Sequence, residues 1–470
     1  MEELKSKCSR EQLDSIEIEL QPLRHPIEWS ALLMAHARLG NVERAAEILD
    51  EMRAAGWPPT ARNFNVAISA CKHRGQWQRA LSLLDAMRAA NVAPDVISFS
   101  SAIAACEKGG HWQCARTLLD DMRATGVAPN VYSFSAAIAA CKNGGNWQQA
   151  LALLDEMRVA CIPPNVISYS AAISACEKGD NWQQALALLD EMRGSGIAPN
   201  LISYGAAISA CEKSGQWLMA LSLLDEMRNA SLHPDATCFN AAISACEKGG
   251  QWQRALGLLD VMRAAGIMPD VYSFSAAISA CEKGGQWQQA LSLLDEMVEH
   301  GVMPNMYSFC AAIQACAAAE QPVSAMQVFA KASDELGPHR MMFNAVLDAV
   351  CGHGLDGARA LWLRGMAQGH YAGVEGEATG TPTLDLHGLS LGAAETAVRW
   401  WLDERALAET CVAKRLEIVT GWGKSRSALQ SCDIRGRVAK LLAELDVPTL
   451  PTDNPGRLVI DVQAWRNRRL

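Results

Sequence analysis

The chain has 470 residues, which is too long for one ordinary hydrophobic core, since a domain usually spans roughly 100 to 200 residues. Half of the residues are hydrophobic and a fifth are charged, which excludes a disordered chain. No apolar run reaches the roughly 18 residues that cross a bilayer, so no membrane partner is expected. The net charge of −9 excludes nucleic-acid binding through bulk positive charge.

The first 25 residues are predicted to form an N-terminal extension. They contain Glu2, Glu3, Glu11 and Asp14, whereas organelle transit peptides are poor in acidic residues. No targeting signal is therefore visible. Either the protein is cytosolic or nuclear, or a leader is missing from the sequence.

A 35-residue repeat follows, and it predicts a helical solenoid over residues 26–369 with about ten repeats. Seven regular repeats run from 61 to 305 and begin at Ala61, Val96, Val131, Val166, Leu201, Ala236 and Val271. Divergent repeats begin at Pro26, at Met306 and near Arg340. Repeats of this length stack on their neighbours because one repeat cannot bury its own apolar face.

Each repeat is predicted to be an antiparallel pair of helices. Positions are counted from the first residue of a repeat, and positions 4, 7, 8 and 11 are apolar at the spacing of one helix face. Glycines at positions 14 and 15 end this first helix. A second apolar stripe begins with a tryptophan at position 17 and ends before a glycine and a proline, such as Gly126 and Pro129.

The tryptophan and cysteine columns are interpreted as packing residues. Trp112 and its equivalents lie on the stripe of core leucines, which favours packing over base stacking. Of the sixteen cysteines, half occupy position 11 of successive repeats, from Cys71 to Cys316. Thiols one repeat apart cannot share a metal or a disulfide, so a reducing compartment is expected.

A 35-residue helix pair that ends in Gly-x-x-Pro followed by Asp or Asn resembles the pentatricopeptide repeat. The resemblance covers about 350 residues and implies a right-handed superhelix that binds single-stranded RNA, one base per repeat. It also implies a role in RNA processing or stability, in a mitochondrion or chloroplast, although a cytoplasmic location stays open. Sites of protein partners are not indicated.

In the family that the chain resembles, positions 5 and 35 together choose the base. Small polar side chains here can bond a base edge, whereas the alternative is a solvated surface or a loop cap. The implied base-reading residues are Asn65 with Asp95, Ser100 with Asn130, Ser135 with Asn165, Ser170 with Asn200, Gly205 with Asp235, Asn240 with Asp270, and Ser275 with Asn305. The family's code then gives 5'-UAAAxUA-3', where x belongs to the Gly205 repeat.

The resemblance assigns two further columns to RNA. Position 2 would sandwich the base, and it holds Ile97, Tyr132, Ile167, Ile202, Tyr272 and Tyr307. Position 13 would meet phosphates, and it holds Lys108, Lys178, Lys213, Lys248 and Lys283. A row of lysines is how an acidic chain could still bind RNA.

After the repeats, residues 370–382 are interpreted as a linker and residues 383–470 as a small α/β domain. The pattern predicts helices over 391–408 and 437–445, strands over 416–420 and 457–462, and a glycine turn between Gly421 and Lys424. The sequence LDLHG followed about thirty residues later by TGWGK resembles the Smr domain. This resemblance implies nucleic-acid binding and nuclease activity.

Asp385 and His387 are the implied catalytic residues, as a general base or metal ligand and a proton carrier. A divalent metal such as Mg²⁺ would be the only cofactor, and only if the domain is a nuclease. Gly421, Gly423 and Lys424 are expected to hold a phosphate. Ser425 and Arg426 depart from the family's order after the lysine.

Three functions stay open at this point. The first is sequence-selective binding of single-stranded RNA. The second is an endoribonuclease in which the repeats select the site and Asp385 and His387 cut. The simpler interpretation of Asp385 and His387 is a hydrogen-bonded pair at the end of a strand. The third is a helical scaffold for proteins.

Overall fold

The structure is a computed structural model that describes residues 25–378, 381–406, 414–420, 434–452 and 454–469. The predicted N-terminal extension therefore lies almost wholly outside the described residues. Contacts divide the chain into two compact parts, residues 1–245 and 246–470, and each is described by itself. None of the described helices is long and apolar enough to cross a membrane.

Ten helical hairpins occupy residues 26–367 of the described chain, which confirms the predicted solenoid of helix pairs. The first helices are α1 (Pro26–Arg38), α3 (Ala61–Arg74), α5 (Val96–Lys108), α7 (Val131–Asn143), α9 (Val166–Lys178), α11 (Leu201–Lys213), α13 (Ala236–Lys248), α15 (Val271–Lys283), α17 (Met306–Ala318) and α19 (Arg340–Val350). The second helices are α2 (Val42–Ala54), α4 (Trp77–Ala89), α6 (Trp112–Ala124), α8 (Trp147–Val159), α10 (Trp182–Gly194), α12 (Trp217–Asn229), α14 (Trp252–Ala264), α16 (Trp287–Glu299), α18 (Pro322–Leu336) and α20 (Leu355–Ala367).

In the regular repeats, the residue in position 35 is the N-cap of the first helix of the following repeat. In α5 the Asp95 side chain accepts hydrogen bonds from the backbone N–H groups of Ile97 and Ser98, and the Ser98 hydroxyl oxygen accepts one from the Asp95 backbone N–H. This reciprocal cap satisfies donors that the helix itself leaves unpaired. The helix ends before Gly110, whose φ of +67° is the left-handed conformation that glycine adopts without strain.

The two predicted stripes form the core. Phe99, Ala102, Ile103 and Cys106 of α5 are fully buried, and the equivalents in the other regular repeats are buried in the same way. Burial raises the pKa of the Cys106 thiol to about 12. The position-11 thiols are thus neutral packing groups, as predicted.

The position-17 tryptophans are half-buried, so they are less enclosed than the leucines of the same stripe. Trp112 lies against the next repeat, where a Cβ at Gly144 would stand 2.7 Å from Trp112 Cδ1. Trp147 packs on Gly179 in the same way. At Gly144 and Gly179, the glycine at position 14 makes room for this close contact between repeats, a role that the sequence pattern alone did not suggest.

A ladder of ion pairs joins the second helices of neighbouring repeats. Arg123 Nη2 lies 2.9 Å from Glu156 Oε2 of the next repeat, and the Arg123 guanidinium lies 5.5 Å from the ring centre of Phe134. The same pairing recurs in Arg158 with Glu191, Arg193 with Glu226, and Arg263 with Glu296. These partly exposed pairs each contribute up to about 1 kcal/mol and fix the register of the repeats.

The C-terminal segment, residues 370–469, contains a five-stranded sheet with the order β1-β2-β3-β5-β4. Its strands are β1 (Glu375–Ala378), β2 (Thr381–Asp385), β3 (Arg415–Val419), β4 (Thr449–Leu450) and β5 (Arg457–Asp461). Its helices are α21 (Leu391–Trp401), which continues as one π-helical turn over Leu402–Ala406, α22 (Ile434–Glu444) and α23 (Val462–Arg469). Strands β2 and β3 are parallel, and the other pairs are antiparallel.

The stretch predicted as a linker, residues 370–382, contains regular structure in the described part of the chain. Strand β1 lies within it and pairs with β2, and the Tyr371 ring stacks on Trp362 of α20 with ring centres 4.2 Å apart. The strand residues Glu375–Ala378 have low β-propensity, so only pairing with β2 makes them a strand. The C-terminal segment shares one compact part with the last repeats, since α21 packs on α19 and α20.

Candidate nucleic-acid interface

Positions 5 and 35 are in hydrogen-bond contact in the repeats that begin at Ala61 and Val166. Asn65 Nδ2 lies 3.1 Å from both carboxylate oxygens of Asp95, and Ser170 Oγ lies 3.3 Å from Asn200 Oδ1. The residue in position 35 is the N-cap of the first helix of the next repeat, and this helix packs beside position 5. The two side chains are therefore close together. The two side chains that were paired by resemblance thus stand where one base edge could touch both.

Position 5 is recessed. Asn65, Ser100, Ser135 and Ser170 are buried, whereas the other three base-reading positions are half-buried, namely Gly205, Asn240 and Ser275. The hydroxyls of Ser100 and Ser135 have no hydrogen-bond partner within the described part of the chain. A buried hydroxyl without a partner costs about 1 to 3 kcal/mol, so these groups gain from a ligand that supplies one.

Position 35 caps a helix, so the loop-cap interpretation holds alongside any contact with RNA. Side chains of Asn130, Asn165, Asn200, Asp270 and Asn305 accept the cap hydrogen bond, as Asp95 does. In the Gly205 repeat, Asp235 Oδ1 accepts from the Cys238 backbone. Burial raises the pKa of the Asp95 carboxyl, but hydrogen bonds from Ser98, Asn65 and Ile97 outweigh it and hold the pKa below its ordinary value.

Position 2 carries a row of exposed apolar side chains. Between 47% and 73% of each side chain is accessible in Ile97, Tyr132, Ile167, Ile202, Tyr272 and Tyr307. Large apolar side chains exposed at one fixed position per repeat indicate a binding surface rather than scattered surface residues. Their rings and branched chains offer the flat contact that an unstacked base requires.

The position-13 lysines are exposed but not free. Lys213 Nζ lies 2.9 Å from Glu177 Oε1, Lys283 Nζ lies 2.8 Å from Glu247 Oε1, and Lys178 Nζ contacts Asn143 Oδ1 at 3.5 Å. Lys108 and Lys248 are exposed at the equivalent place. The prediction overlooked the glutamates at position 12 of the preceding repeat, which neutralise part of this charge.

Two serines at position 9 hydrogen-bond the glutamates at position 12 of the preceding repeat. Ser244 Oγ donates to Glu212 Oε1 and Ser279 Oγ donates to Glu247 Oε1, each at 3.1 Å. Burial raises the pKa of Glu282 to about 7, with Glu247 adding to the rise and Lys283 and Ser279 opposing it. The Glu282 carboxyl therefore changes charge near neutral pH.

A cleft of about 1560 Å³ connects the last repeats with the C-terminal segment inside the second part. Ser275, Lys283 and Tyr307, three of the predicted RNA contacts, line it together with His387 and Arg437. Sequence reasoning did not bring His387 next to the base-reading row. The cleft is therefore a continuous surface from repeat side chains to the predicted catalytic histidine.

Asp385 and His387 are brought together at the end of β2. Asp385 Oδ1 accepts the His387 backbone N–H at 2.9 Å and lies 2.5 Å from His387 Nδ1. The carboxylate thus orients the imidazole, and the His387 side chain is 59% exposed, an arrangement that suits proton transfer and equally suits a structural pair.

The predicted phosphate-binding residues Gly421, Gly423 and Lys424 lie outside the described residues. Among the residues that are described, no three His, Cys, Asp or Glu side chains gather as metal ligands. Asp385 is already engaged by His387, so the described donor set does not fit a resident Mg²⁺ ion.

Fold and surface together define a helical-hairpin repeat protein whose side chains line up for an extended ligand. Family models match most of the repeat region: the pentacotripeptide-repeat region of PRORP at 59–217 and 98–271, a PPR repeat family at 276–318, and a pentatricopeptide repeat domain at 26–74. These matches cover more than half of the chain. The chain belongs to the pentatricopeptide repeat family.

Solved structures agree on the fold. The pentatricopeptide repeat protein PPR10 in complex with an 18-nt psaJ RNA element has 16% identity and a TM-score of 0.57, over 92% of this chain and 62% of that one. PPR10 from maize has 24% identity and a TM-score of 0.52, over 83% and 54%. The chain thus spans less than two thirds of the length of PPR10. No curated protein sequence matches it significantly.

Proposed function

We propose that the repeats bind single-stranded RNA and read one base per repeat through positions 5 and 35. The observation that carries this proposal is the contact between the two positions, seen in Asn65 with Asp95 and in Ser170 with Asn200. A base edge held between two such groups can meet donors and acceptors from both. The PPR10 structure that shares the fold contains RNA, which supports a nucleic-acid ligand.

The exposed position-2 side chains support the same function. A base that leaves its own stack loses apolar contact, and stacking on a protein side chain restores about 1 to 3 kcal/mol per base. Tyr132, Tyr272 and Tyr307 supply aromatic faces, and Ile97 supplies an aliphatic one. Duplex RNA cannot offer unstacked bases, so the ligand is single-stranded.

The test is fluorescence anisotropy with a UAAAxUA oligonucleotide, a scrambled oligonucleotide and a duplex. The oligonucleotide that follows the code should bind most tightly. Exchanging Ser135→Asn together with Asn165→Asp should turn one preference from adenine to uracil. Equal binding to poly(C) would reject base reading, and no binding to any RNA would favour a protein scaffold.

A matched control separates phosphate contacts from base contacts. Replacing three position-13 lysines together, Lys178→Gln, Lys213→Gln and Lys248→Gln, should weaken binding to every sequence alike and flatten its salt dependence. A change of base preference with an intact salt slope would place these lysines away from the phosphates.

We also infer that the C-terminal segment is an Smr-like domain, and its position favours a second candidate function, cleavage of the bound RNA. The supporting observation is that His387 lines the same cleft as Ser275 and Lys283. RNA that passes the last regular repeat would meet the imidazole that Asp385 orients. Bound in this way, the phosphodiester would lie within reach of a proton-transfer group.

Cleavage is tested with end-labelled RNA that carries the proposed site. The cut should fall just 3' of the adenine read by Ser275, because that repeat adjoins the cleft. Asp385→Ala and His387→Ala should each abolish cutting and leave the affinity nearly intact, since binding is spread over many repeats. If the unaltered protein never cuts, or both variants cut equally well, the domain has a binding role only.

A further inference from the structure

We infer that the C-terminal segment occupies the place of an eleventh repeat, and that Asn344 is thereby a docking residue rather than a base reader. Asn344 stands at position 5 of the repeat that begins at Arg340, which makes it the equivalent of Asn65. The sequence alone therefore suggests one more base-reading residue. The contacts of Asn344 lead to the opposite conclusion.

Helix α21 packs on α19 and α20 in the manner of a following first helix. Its N-cap residue Ser390 donates to the Asn344 carbonyl at 3.0 Å, and the Gly392 backbone N–H donates to Asp348 Oδ1 at 2.6 Å. In the regular repeats, too, position 5 lies beside the N-cap of the next first helix, as Asn65 lies beside Asp95. Helix α21 thus continues the stacking pattern with a different sequence.

The approach is close enough to require glycine. A Cβ at Gly392 would lie 2.6 Å from the Leu347 carbonyl oxygen and 2.7 Å from Asp348 Cα, both backbone atoms of α19 that cannot move aside cheaply. Gly392 is therefore a contact point between the C-terminal segment and the last repeat. Its φ is not in the left-handed region, so space alone explains the glycine.

The side-chain amide of Asn344 bonds the C-terminal segment, whereas that of Asn65 bonds Asp95 and Ser98 at the start of α5. Asn344 Nδ2 donates to the Gly388 carbonyl at 3.0 Å, and Asn344 Oδ1 accepts from the Tyr371 hydroxyl at 3.1 Å. Nη2 of the neighbouring Arg340 donates a hydrogen bond to the His387 backbone carbonyl at 2.8 Å. The loop that carries His387 is thus tied to positions 1 and 5 of the last repeat, where a base would otherwise be read.

Two consequences follow, and the second rests on the proposed RNA binding. Docking fixes His387 at a set distance from the base-reading residues of the preceding repeats. Base reading does not extend into the repeat that begins at Arg340, and a nucleotide opposite Asn344 contributes no sequence preference. The docked segment therefore sets the 3' limit of the recognised sequence.

The docking is tested on the full chain without RNA, by hydrogen exchange of the amides in 386–396. Gly392→Ala and the milder Asn344→Ala should each speed exchange there by roughly tenfold, because both loosen the contact with α19. Gly257→Ala is the matched control, since a Cβ at Gly257 meets no atom of the described residues within 4 Å. Unchanged exchange in both docking variants would overturn the inference, whatever the chain does with RNA.

A second experiment tests base reading. It compares the base preference of Asn344→Ser with that of Asn65→Ser, using oligonucleotides that differ at one nucleotide. Asn65→Ser should change the preference at its nucleotide by roughly fivefold or more, and Asn344→Ser should change none. A preference that moves with Asn344 would overturn the inference. If Asn65→Ser also leaves every preference unchanged, base reading itself fails while the exchange experiment still decides the docking.

Discussion

The repeat that contains Gly205 offers the sharpest test of base reading, because it lacks a side chain at position 5. Asp235 occupies position 35 of this repeat, so Gly205→Asn alone would recreate the Asn65 and Asp95 pair. Among the atoms that the structure describes, a Cβ at Gly205 would meet only Cys238 Sγ, at the ordinary contact distance of 3.5 Å. The added side chain therefore has room, and replacing a glycine within helix α11 should also stabilise the helix by a few tenths of a kcal/mol.

The geometry of the existing pair sets the expected size of the effect. Asn65 Nδ2 lies 3.1 Å from both Asp95 oxygens, which orients its amide for one base edge. A well-oriented polar contact discriminates between bases by about 1 to 3 kcal/mol, which corresponds to roughly 5- to 150-fold in affinity. Gly205→Asn should gain this preference for uracil at the fifth nucleotide of UAAAxUA.

The assay is competition of four oligonucleotides that differ only at that nucleotide, measured by fluorescence anisotropy at one fixed salt concentration. Wild type should bind the four with similar affinity. Gly205→Ala is the matched control, since it fills the same space without a polar group and should create no preference. If Gly205→Asn binds all four alike, or prefers a base other than uracil, positions 5 and 35 do not read bases as proposed.

Three further predictions concern packing and charge. Gly179→Ala should lower the free energy of unfolding by about 1 to 3 kcal/mol in urea titrations, because its Cβ meets a tryptophan ring of the preceding repeat. Gly194→Ala is the control and should be neutral or slightly stabilising, because there is open space around that position. Equal effects of the two substitutions would contradict the packing role of Gly179. RNA affinity should rise as the pH falls from 8 to 6, since the pKa of Glu282 is about 7 and its protonation removes a negative charge that repels phosphate. Glu282→Gln should abolish this rise. A rise that persists in Glu282→Gln would mean that another group causes the pH dependence. Glu177→Gln should tighten RNA binding a few-fold and steepen its salt dependence by releasing Lys213, and an unchanged slope would place that lysine away from the RNA.

The helix pairs could be predicted because their signals are local and recur through seven regular repeats. Apolar spacing, the glycines at positions 14 and 15 and the Asp or Asn at position 35 each fix a boundary within one repeat, and the observed helices begin and end there. The burial of the cysteine column was confirmed for the same reason. Agreement across repeats made each weak signal strong.

Contacts between repeats could not be predicted with the same accuracy. The partner of Lys213 is Glu177, thirty-six residues earlier, and nothing in the spacing of one repeat indicates that pairing. The side chains at position 5 were expected to reach a base edge, but the sequence did not indicate that Ser135 is buried, because its burial depends on the next first helix. Strand β1 and the docked Asn344 were missed for a related reason, since both depend on elements distant in sequence.

The pairing of lysines with glutamates explains how an acidic chain could bind RNA selectively. If Lys213 and Lys283 were free, any RNA would gain from their charge, and binding would be strong but indifferent to sequence. Because each is engaged by a glutamate, a phosphate must compete for it, and the nonspecific part of the affinity falls. Stacking at position 2 and base edges at positions 5 and 35 then carry a larger share of the binding energy. Selectivity depends on that share, so the net charge of −9 favours discrimination between sequences at the expense of overall affinity.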